Sequence, residues 1–209
     1  FVFSLGRRSD AKKGKLLRRT KRRAPEADET DGPMFWDEVT TWVARGLMTG
    51  ADGRDVVFAH PISRTVDIVE KGEGDPKRVK RSFTYDDYGN QTELHEFGIV
   101  TQDDPRVYDD ERTLFTRYHY NEADWLVSYP KSTELRDGAG NVVSRSETYY
   151  DDETFAGDGD NLPTRGNATL VRRWVALPQF PDDTGTYVDA ARFKYDAYGN
   201  VVATLDALA

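Results

Sequence analysis

The sequence contains no cysteine, which excludes disulfide bonds, thiolate metal sites and a cysteine nucleophile. It has only three histidines, His60, His95 and His119, and their spacing offers no pair of imidazole ligands. We therefore expect neither a zinc site nor a nucleophile–base pair, and we predict a non-enzymatic chain that needs no cofactor. His119 lies between two tyrosines in an alternating segment, where we expect it to face solvent.

Long apolar runs are also missing. The longest ones, such as residues 55–59, fall far short of a membrane span. The chain begins at Phe1, and its first residues lack the apolar core of a signal peptide. We expect no membrane-spanning segment and interpret the chain as a piece of a longer polypeptide.

The composition favours strands. Hydrophobic residues make up 37% of the chain and aromatic residues 12%, a balance typical of a many-stranded sheet with one buried face. The glycines and prolines separate short alternating segments, which indicates the same class. We therefore predict an all-β fold. Within it, Pro61 is expected to end the return strand of a hairpin that turns at residues 52–53.

One ten-residue segment occurs twice, as residues 83–92 and again as residues 193–202. Each copy predicts a strand with paired aromatics, a turn and a return strand. At the turn, an aspartate can accept backbone N–H bonds and a glycine can take the left-handed conformation that closes the hairpin. The residues in these roles are Tyr85, Asp86, Gly89 and Asn90 in the first copy, and Tyr195, Asp196, Gly199 and Asn200 in the second.

Related turns occur elsewhere in the chain. We assign Gly53, Gly140, Asn141, Gly166 and Asn167 to equivalent turn positions, with an acidic insertion before the last pair. The pattern Tyr-Asp-x-x-Gly-Asn resembles the core of the YD repeat, which is found in RHS-repeat proteins, teneurins and the B component of insecticidal toxin complexes. At the level of repeats, the resemblance covers roughly residues 45–209.

The resemblance implies an antiparallel strip of stacked β-hairpins that forms part of a hollow β-shell. In toxin complexes of this kind, the shell encloses a cytotoxic polypeptide. The chain would then be a non-catalytic structural segment, secreted or at the cell surface. Its partners would be the remainder of the same polypeptide or a sister shell subunit, together with an encapsulated polypeptide cargo. The strip also has a physical basis, because each hairpin has too small an apolar face to fold alone.

The first part of the chain differs in charge. Residues 7–23 carry ten lysines or arginines against one aspartate, and residues 24–33 are then acidic. Such a basic segment can bind nucleic acid, an anionic surface or the acidic remainder of its own protein. No aromatic residues alternate with the cations, which disfavours nucleic acid and favours a solvated, mobile connector. We therefore predict an arm and linker over residues 1–33 and a repeat domain over residues 34–209.

The acidic insertion is the best candidate for a metal site, although we predict that none is present. Asp151, Asp152, Asp158 and Asp160 lie in a glycine-containing loop that could wrap a calcium ion. Their spacing does not match the EF-hand pattern, and a solvated acidic loop is the favoured alternative. A hydrolase acting through these carboxylates would need them to converge in a pocket.

Tyrosines offer a second functional hypothesis. We expect Tyr85 and Tyr195 to pack between neighbouring hairpins, as cross-strand aromatic pairs do. Tyr88 and Tyr198 lie at turns, which are usually exposed, so these two side chains could contact a ligand. A cell-surface adhesion or carbohydrate-binding β module would use such exposed tyrosines.

Overall fold

The computed structural model of the chain describes residues 2–3, 10–26, 31–72, 74–101, 108–159, 161–176 and 185–206. In these residues the chain forms twelve strands and no α-helix. The strands are β1 (Val2–Phe3), β2 (Leu16–Arg22), β3 (Met34–Thr49), β4 (Asp55–Ile68), β5 (Lys77–Tyr85), β6 (Gln91–Val100), β7 (Arg112–Asn121), β8 (Leu126–Asp137), β9 (Val142–Tyr150), β10 (Ala168–Ala176), β11 (Gly185–Tyr195) and β12 (Val201–Asp206). The order of the strands in the sheet follows their order in the chain.

Consecutive strands pair antiparallel, as in β3 with β4, β8 with β9 and β10 with β11. The prediction of an all-β fold built from a strip of consecutive hairpins is therefore confirmed. Nowhere in the described ranges is there a helix with the length and apolar character that a membrane crossing requires.

Backbone contacts divide the chain into two compact units. Unit 1 comprises Phe1–Gly89 with Leu94–Arg112, and unit 2 comprises Asn90–Glu93 with Thr113–Ala209. Unit 1 therefore contains β1 to β5 and most of β6, whereas β7 to β12 belong to unit 2. The predicted boundary between an arm and a repeat domain, at residue 33, lies inside unit 1 and stays a prediction.

The longest hairpin of unit 1 corrects one expectation about proline. The prediction that Pro61 ends the return strand is wrong, because β4 continues through Pro61 to Ile68. Pro61 lies opposite Trp42, next to a shift of the register between Thr41 and Trp42. Such a bulge interrupts the ladder locally, and it is one of the few positions where a strand tolerates the missing N–H of proline.

The basic segment forms a strand where a mobile connector was expected. β2 pairs with β3 from Arg18 to Arg22. The Arg18 Nε atom lies 2.9 Å from Asp37 Oδ1, which also accepts a bond from the Thr20 hydroxyl. The connector interpretation is therefore wrong for β2. The segment is ordered because β3 supplies both backbone partners and a buried carboxylate, which offset the free-energy cost of ordering a charged segment.

Two tryptophans of β3 lie beside the cations of this region. The Arg19 guanidinium carbon is 5.3 Å from the centre of the Trp36 ring, and Lys15 Nζ is 5.3 Å from that of Trp42. Both distances fall within the range of cation–π attraction. Spacing within residues 7–23 cannot reveal these contacts, because the rings belong to the neighbouring strand.

Unit 2 has a small core. Leu170 is completely buried, and Val127, Tyr149 and Tyr150 are almost so. By contrast, Val201 and Val202 on β12 remain 53% and 63% exposed. The buried apolar side chains of this unit therefore lie on β8, β9 and β10, whereas the valines of its last strand, β12, are exposed to solvent.

Candidate functional site

The repeated turn is built around an aspartate carboxylate that bonds the turn it begins, an arrangement that we call a turn clasp. Asp196 Oδ1 accepts the N–H groups of Tyr198 and Asn200, both at 2.9 Å. Asp196 Oδ2 accepts the Asn200 side-chain amide at 3.0 Å. Gly199 has a φ of 83°, the left-handed conformation that glycine adopts without strain. The clasp thus satisfies donors that the two strands leave unpaired.

Asp137 forms the same clasp between β8 and β9. Its Oδ1 atom accepts the N–H groups of Ala139 at 3.0 Å and Asn141 at 2.8 Å, and its Oδ2 atom accepts the Asn141 amide at 3.0 Å. Gly140 has a φ of 87°. The side-chain bond from Asn141 and the backbone N–H groups of the turn lower the pKa of Asp137, which favours the ionised, accepting form.

The turn of the first copy of the ten-residue repeat is also bonded by its aspartate. Asp86 Oδ1 accepts the Tyr88 N–H at 2.9 Å, and the Asp86 carbonyl accepts the Gly89 N–H at 3.3 Å. The side-chain amide of Asn90 donates to the Val127 carbonyl at 2.7 Å. This asparagine therefore bonds the backbone of β8, a contact that the repeat pattern does not predict.

The turn of the β3–β4 hairpin has no aspartate at its first position. Gly50 occupies that position, and its N–H donates to the Arg54 carbonyl at 2.7 Å. Asp52 instead accepts the Arg54 N–H at 3.1 Å. Gly53 has a φ of 77°. The left-handed glycine is thus present here without the aspartate that clasps the other turns.

Asp151 clasps a turn that contains the acidic insertion. The Asp151 N–H donates to the Asn167 carbonyl at 2.8 Å, and Asp151 Oδ1 accepts the Asn167 N–H at 3.1 Å. The same two bonds join Asp196 to Asn200. Asp151 Oδ2 accepts three further N–H groups, from Thr164, Arg165 and Gly166, at 2.8 to 3.0 Å. The insertion therefore lies inside a turn that stays closed at its base.

This geometry bears on the calcium hypothesis. Burial raises the pKa of Asp151, but the N–H groups of residues 164–167 outweigh it, so the pKa lies below its usual range. Asp152 also bonds its own loop, accepting the Thr154 and Gly157 N–H groups at 3.1 and 2.8 Å. These N–H groups already bond the carboxylate oxygens that a bound cation would need as ligands. Asp158 is exposed, and Asp160 lies outside the described residues.

The described part of the chain contains no group of three or more histidine or acidic side chains placed to hold a metal ion. The convergent carboxylates required by the hydrolase hypothesis are therefore not formed by Asp151 and Asp152, whose oxygens bond backbone N–H groups instead. Sequence reasoning located the insertion between Asp151 and Gly166 but did not identify the role of this aspartate as a clasp.

Two clasp glycines provide a matched test of this geometry. Gly140→Ala is expected to cost about 1 kcal/mol, because alanine is strained at a φ of 87° although its Cβ would have open space. Gly166→Ala should cost more, since its Cβ would lie only 2.3 Å from the Tyr129 ring. Urea unfolding of both variants measures the difference. Equal losses would contradict the packing of Gly166 against Tyr129.

The tyrosines fall into two groups. The Tyr85 ring lies edge-on to Phe58, with 5.6 Å between ring centres. The Tyr195 hydroxyl donates to the Ala168 carbonyl at 2.8 Å. Tyr88 is half-buried, whereas Tyr198 is 91% exposed. Tyr198 is therefore the turn tyrosine with most of its surface open to a ligand.

His119 corrects another expectation. It was predicted to face solvent, but it is only 4% exposed and lies edge-on to Tyr150, with 5.9 Å between ring centres. Alternation along a strand separates two faces without showing which one a neighbouring strand covers, and here β9 covers the histidine. Burial lowers the pKa of His119, and the charge of Lys131 lowers it further.

A charged face of unit 2 borders a cleft of about 840 Å³. Glu134, in the cleft wall, accepts bonds from Arg136 and Arg145, both at 2.5 Å. Burial raises the pKa of Glu134, but the two guanidinium groups outweigh it and keep the pKa low. Glu134 is therefore ionised at neutral pH and poorly suited to act as a general acid. The ion pair of Glu134 with Arg145 links β8 to β9, which is a structural role.

Comparison with known proteins identifies similar folds among solved structures. A crystal structure of TcdB2-TccC3-Cdc42 superimposes with a TM-score of 0.64 at 12% identity, covering 94% of this chain and 13% of that chain. The pore form of the Tc holotoxin from Photorhabdus luminescens, with a mutation in TccC3, gives a TM-score of 0.61 at 12% identity. That match covers 90% of this chain and 12% of the other.

No protein-family model matches the chain, and no curated protein matches it in sequence. At 12% identity, the similarity to the Tc toxin components concerns the fold. It confirms the resemblance suggested by the Tyr-Asp-x-x-Gly-Asn turns, and the chain spans about an eighth of the length of the structures that it matches.

Proposed function

We propose that the chain is a non-catalytic segment of the wall of an RHS/YD-repeat shell that encapsulates a toxin or another polypeptide cargo. The observation that carries this proposal is a strip of antiparallel hairpins in chain order whose fold matches Tc toxin components over 94% of the chain. A structural role is also consistent with the clasps and ion pairs, whose carboxylates bond the turns and strands of the chain itself.

The proposed partners are the remainder of the same polypeptide or a sister shell subunit. Among the described residues, β12 pairs only with β11, so one of its edges carries unpaired backbone groups. Val201 and Val202 on this strand expose more than half of their surface. A long shell would cover this edge with a further strand, as edge strands otherwise associate. Secretion, or display at the cell surface, belongs to the same proposal.

We expect the full chain on its own to associate through this edge as its concentration rises. Val202→Lys should increase the monomer fraction several-fold at a given concentration, because an edge lysine opposes strand pairing. Val175→Lys is the matched control, since Val175 is 44% exposed but lies on β10, which pairs with β9 and β11. Size-exclusion chromatography with light scattering measures both. A strictly monomeric chain would count against the edge of β12 as a site of strand pairing.

A carbohydrate-binding or adhesion module is the second candidate, and the exposure of Tyr198 is the observation that favours it. Under this alternative, binding to a glycan array should be lost in Tyr198→Ala and reduced in Tyr88→Ala, whose side chain is half-buried. The fold of the variants is checked by circular dichroism. Absence of glycan binding by the unmodified chain would remove this candidate and leave the shell segment.

A further inference from the structure

His60 lies in an aromatic cage in unit 1. Its ring stacks on Phe58, with 4.5 Å between ring centres, and lies 4.7 Å from the Tyr85 ring. The residue is only 8% exposed, and its Nδ1 atom is buried without a hydrogen-bond partner. Burial holds a histidine in such a site mainly in the neutral form, because an imidazolium would lose its hydration. A hydrogen bond with the Phe58 backbone favours the charged form but offsets the burial only in part.

The same cage fastens the turn of the first repeat. Arg45 of β3 donates to the Asp86 carbonyl, and its Nη1 atom lies 3.3 Å from Asp87 Oδ1. The Arg45 guanidinium carbon also lies 6.0 Å from the centre of the Phe58 ring. Gly89 packs so closely on Phe58 that a Cβ atom would lie 3.2 Å from the ring. One arginine and one aromatic ring thus hold residues 86–89 against the long hairpin.

The groups around His60 determine the effect of a proton. β3 contributes the positive charge of Arg45, and β5 contributes the neutral phenol of Tyr85. The turn contributes two carboxylates, but Asp87 pairs with Arg45 and Asp86 Oδ1 accepts the Tyr88 N–H. A proton on His60 would therefore lie beside a cation and two rings, and the Phe58 backbone is the acceptor that opposes their effect.

We propose that Phe58, His60, Tyr85 and Arg45 form a proton-sensitive latch, which holds the turn at residues 86–89 at neutral pH and releases it in mildly acidic solution. Protonation of His60 places a second positive charge beside Arg45, the side chain that bonds the turn. The displaced turn allows the imidazolium to reach water. The latch rests on contacts within unit 1 and does not depend on a shell.

The direction of the pH dependence follows from linkage. Burial lowers the pKa of His60 in the closed latch, and Arg45 lowers it further. Together they outweigh the hydrogen bond with the Phe58 backbone, which raises the pKa. The open form recovers an ordinary histidine pKa of about 6.5, so it binds more protons than the closed form below that pH. The closed latch is fully stable above about pH 6.5, and the opening equilibrium rises by up to about tenfold per pH unit below it.

Hydrogen exchange of the full chain tests this proposal, with mass spectrometry of the peptide that covers residues 83–92 between pH 5 and pH 8. After correction for intrinsic exchange rates, protection of the turn should fall below about pH 6.5 by up to about tenfold per pH unit. His60→Phe keeps a stacking ring but cannot bind a proton, so its turn protection should be independent of pH. His95→Phe is the matched control and should keep the wild-type dependence, because His95 also lies against a phenylalanine of the same unit, with 4.1 Å between its ring centre and that of Phe97.

An equal fall of protection in wild type and His60→Phe would overturn the latch. A wild-type turn whose protection does not change with pH would overturn it as well. If His60→Phe does not fold, the proton affinity of His60 is measured directly by NMR titration of the wild-type imidazole. A titration midpoint clearly below about 6.5 supports the latch, and one at or above about 6.5 overturns it.

Discussion

Replacing Asp151 with alanine is expected to lower the free energy of unfolding of unit 2 by about 3 kcal/mol. The carboxylate accepts N–H bonds from four consecutive residues, 164–167, and the variant leaves these donors without their acceptor. The base of the inserted loop would open as a result. Native-state hydrogen exchange of the β9 and β10 peptides as a function of denaturant measures the change.

Glu153→Ala is the matched control, since Glu153 is an exposed carboxylate two residues away in the same loop. We expect it to change the free energy of unfolding by less than about 0.5 kcal/mol.

The stabilising effect of the Asp151 charge should depend on pH. The difference in the free energy of unfolding between wild type and Asp151→Asn should be present near neutral pH and disappear as the pH falls well below about 4. The sign follows from the lowered pKa of Asp151, whose stabilising charge is lost only on protonation. A difference that does not decrease as the pH falls below about 4 would contradict the clasp.

Leu170→Ala is expected to destabilise unit 2 by about 3 kcal/mol. Among the described residues, Leu170 is the largest side chain with no exposed surface, so its truncation removes buried apolar contacts and leaves a cavity. Val202→Ala, on the exposed face of β12, should cost less than about 0.5 kcal/mol. Native-state hydrogen exchange of the β9 and β10 peptides measures the loss of stability in both variants. A loss below about 1 kcal/mol for Leu170→Ala would show that the core is not centred on this residue.

The hairpin architecture is predictable from the sequence because its signals are local. The four-residue spacing from Asp196 to Asn200 contains both partners of the clasp, and the glycine between them marks the left-handed position. Turn chemistry of this kind depends on adjacent residues, so an internal repeat reveals it without knowledge of the sheet.

Other features depend on the neighbouring strand and were missed. The ordering of β2 depends on Asp37 of β3, and the burial of His119 depends on Tyr150 of β9. Pro61 remains inside β4 because its neighbour Ile62 is bulged out of the ladder with β3, where Thr41 and Trp42 face Ser63 and Pro61. In each case the deciding partner is remote in sequence, and alternation along a single strand cannot show which face that partner covers.

The role of the acidic insertion could not be predicted from the sequence either. Its composition suggested a cation site, yet Asp151 and Asp152 bond backbone N–H groups of their own loop. A carboxylate can serve a metal ion or a set of N–H donors with the same oxygens. Only the position of the chain around the side chain decides between them, and here residues 164–167 return to Asp151.

The central claim is that this chain is a segment of a shell wall. Electron cryo-microscopy of the longer polypeptide or assembly that contains it, purified from its source, tests that claim most directly. The account predicts that the hairpins of residues 34–209 lie consecutively in the wall of a closed β-shell, with a further strand paired to the open edge of β12. A map in which these residues form a separate domain, with no strand beside β12, would contradict it.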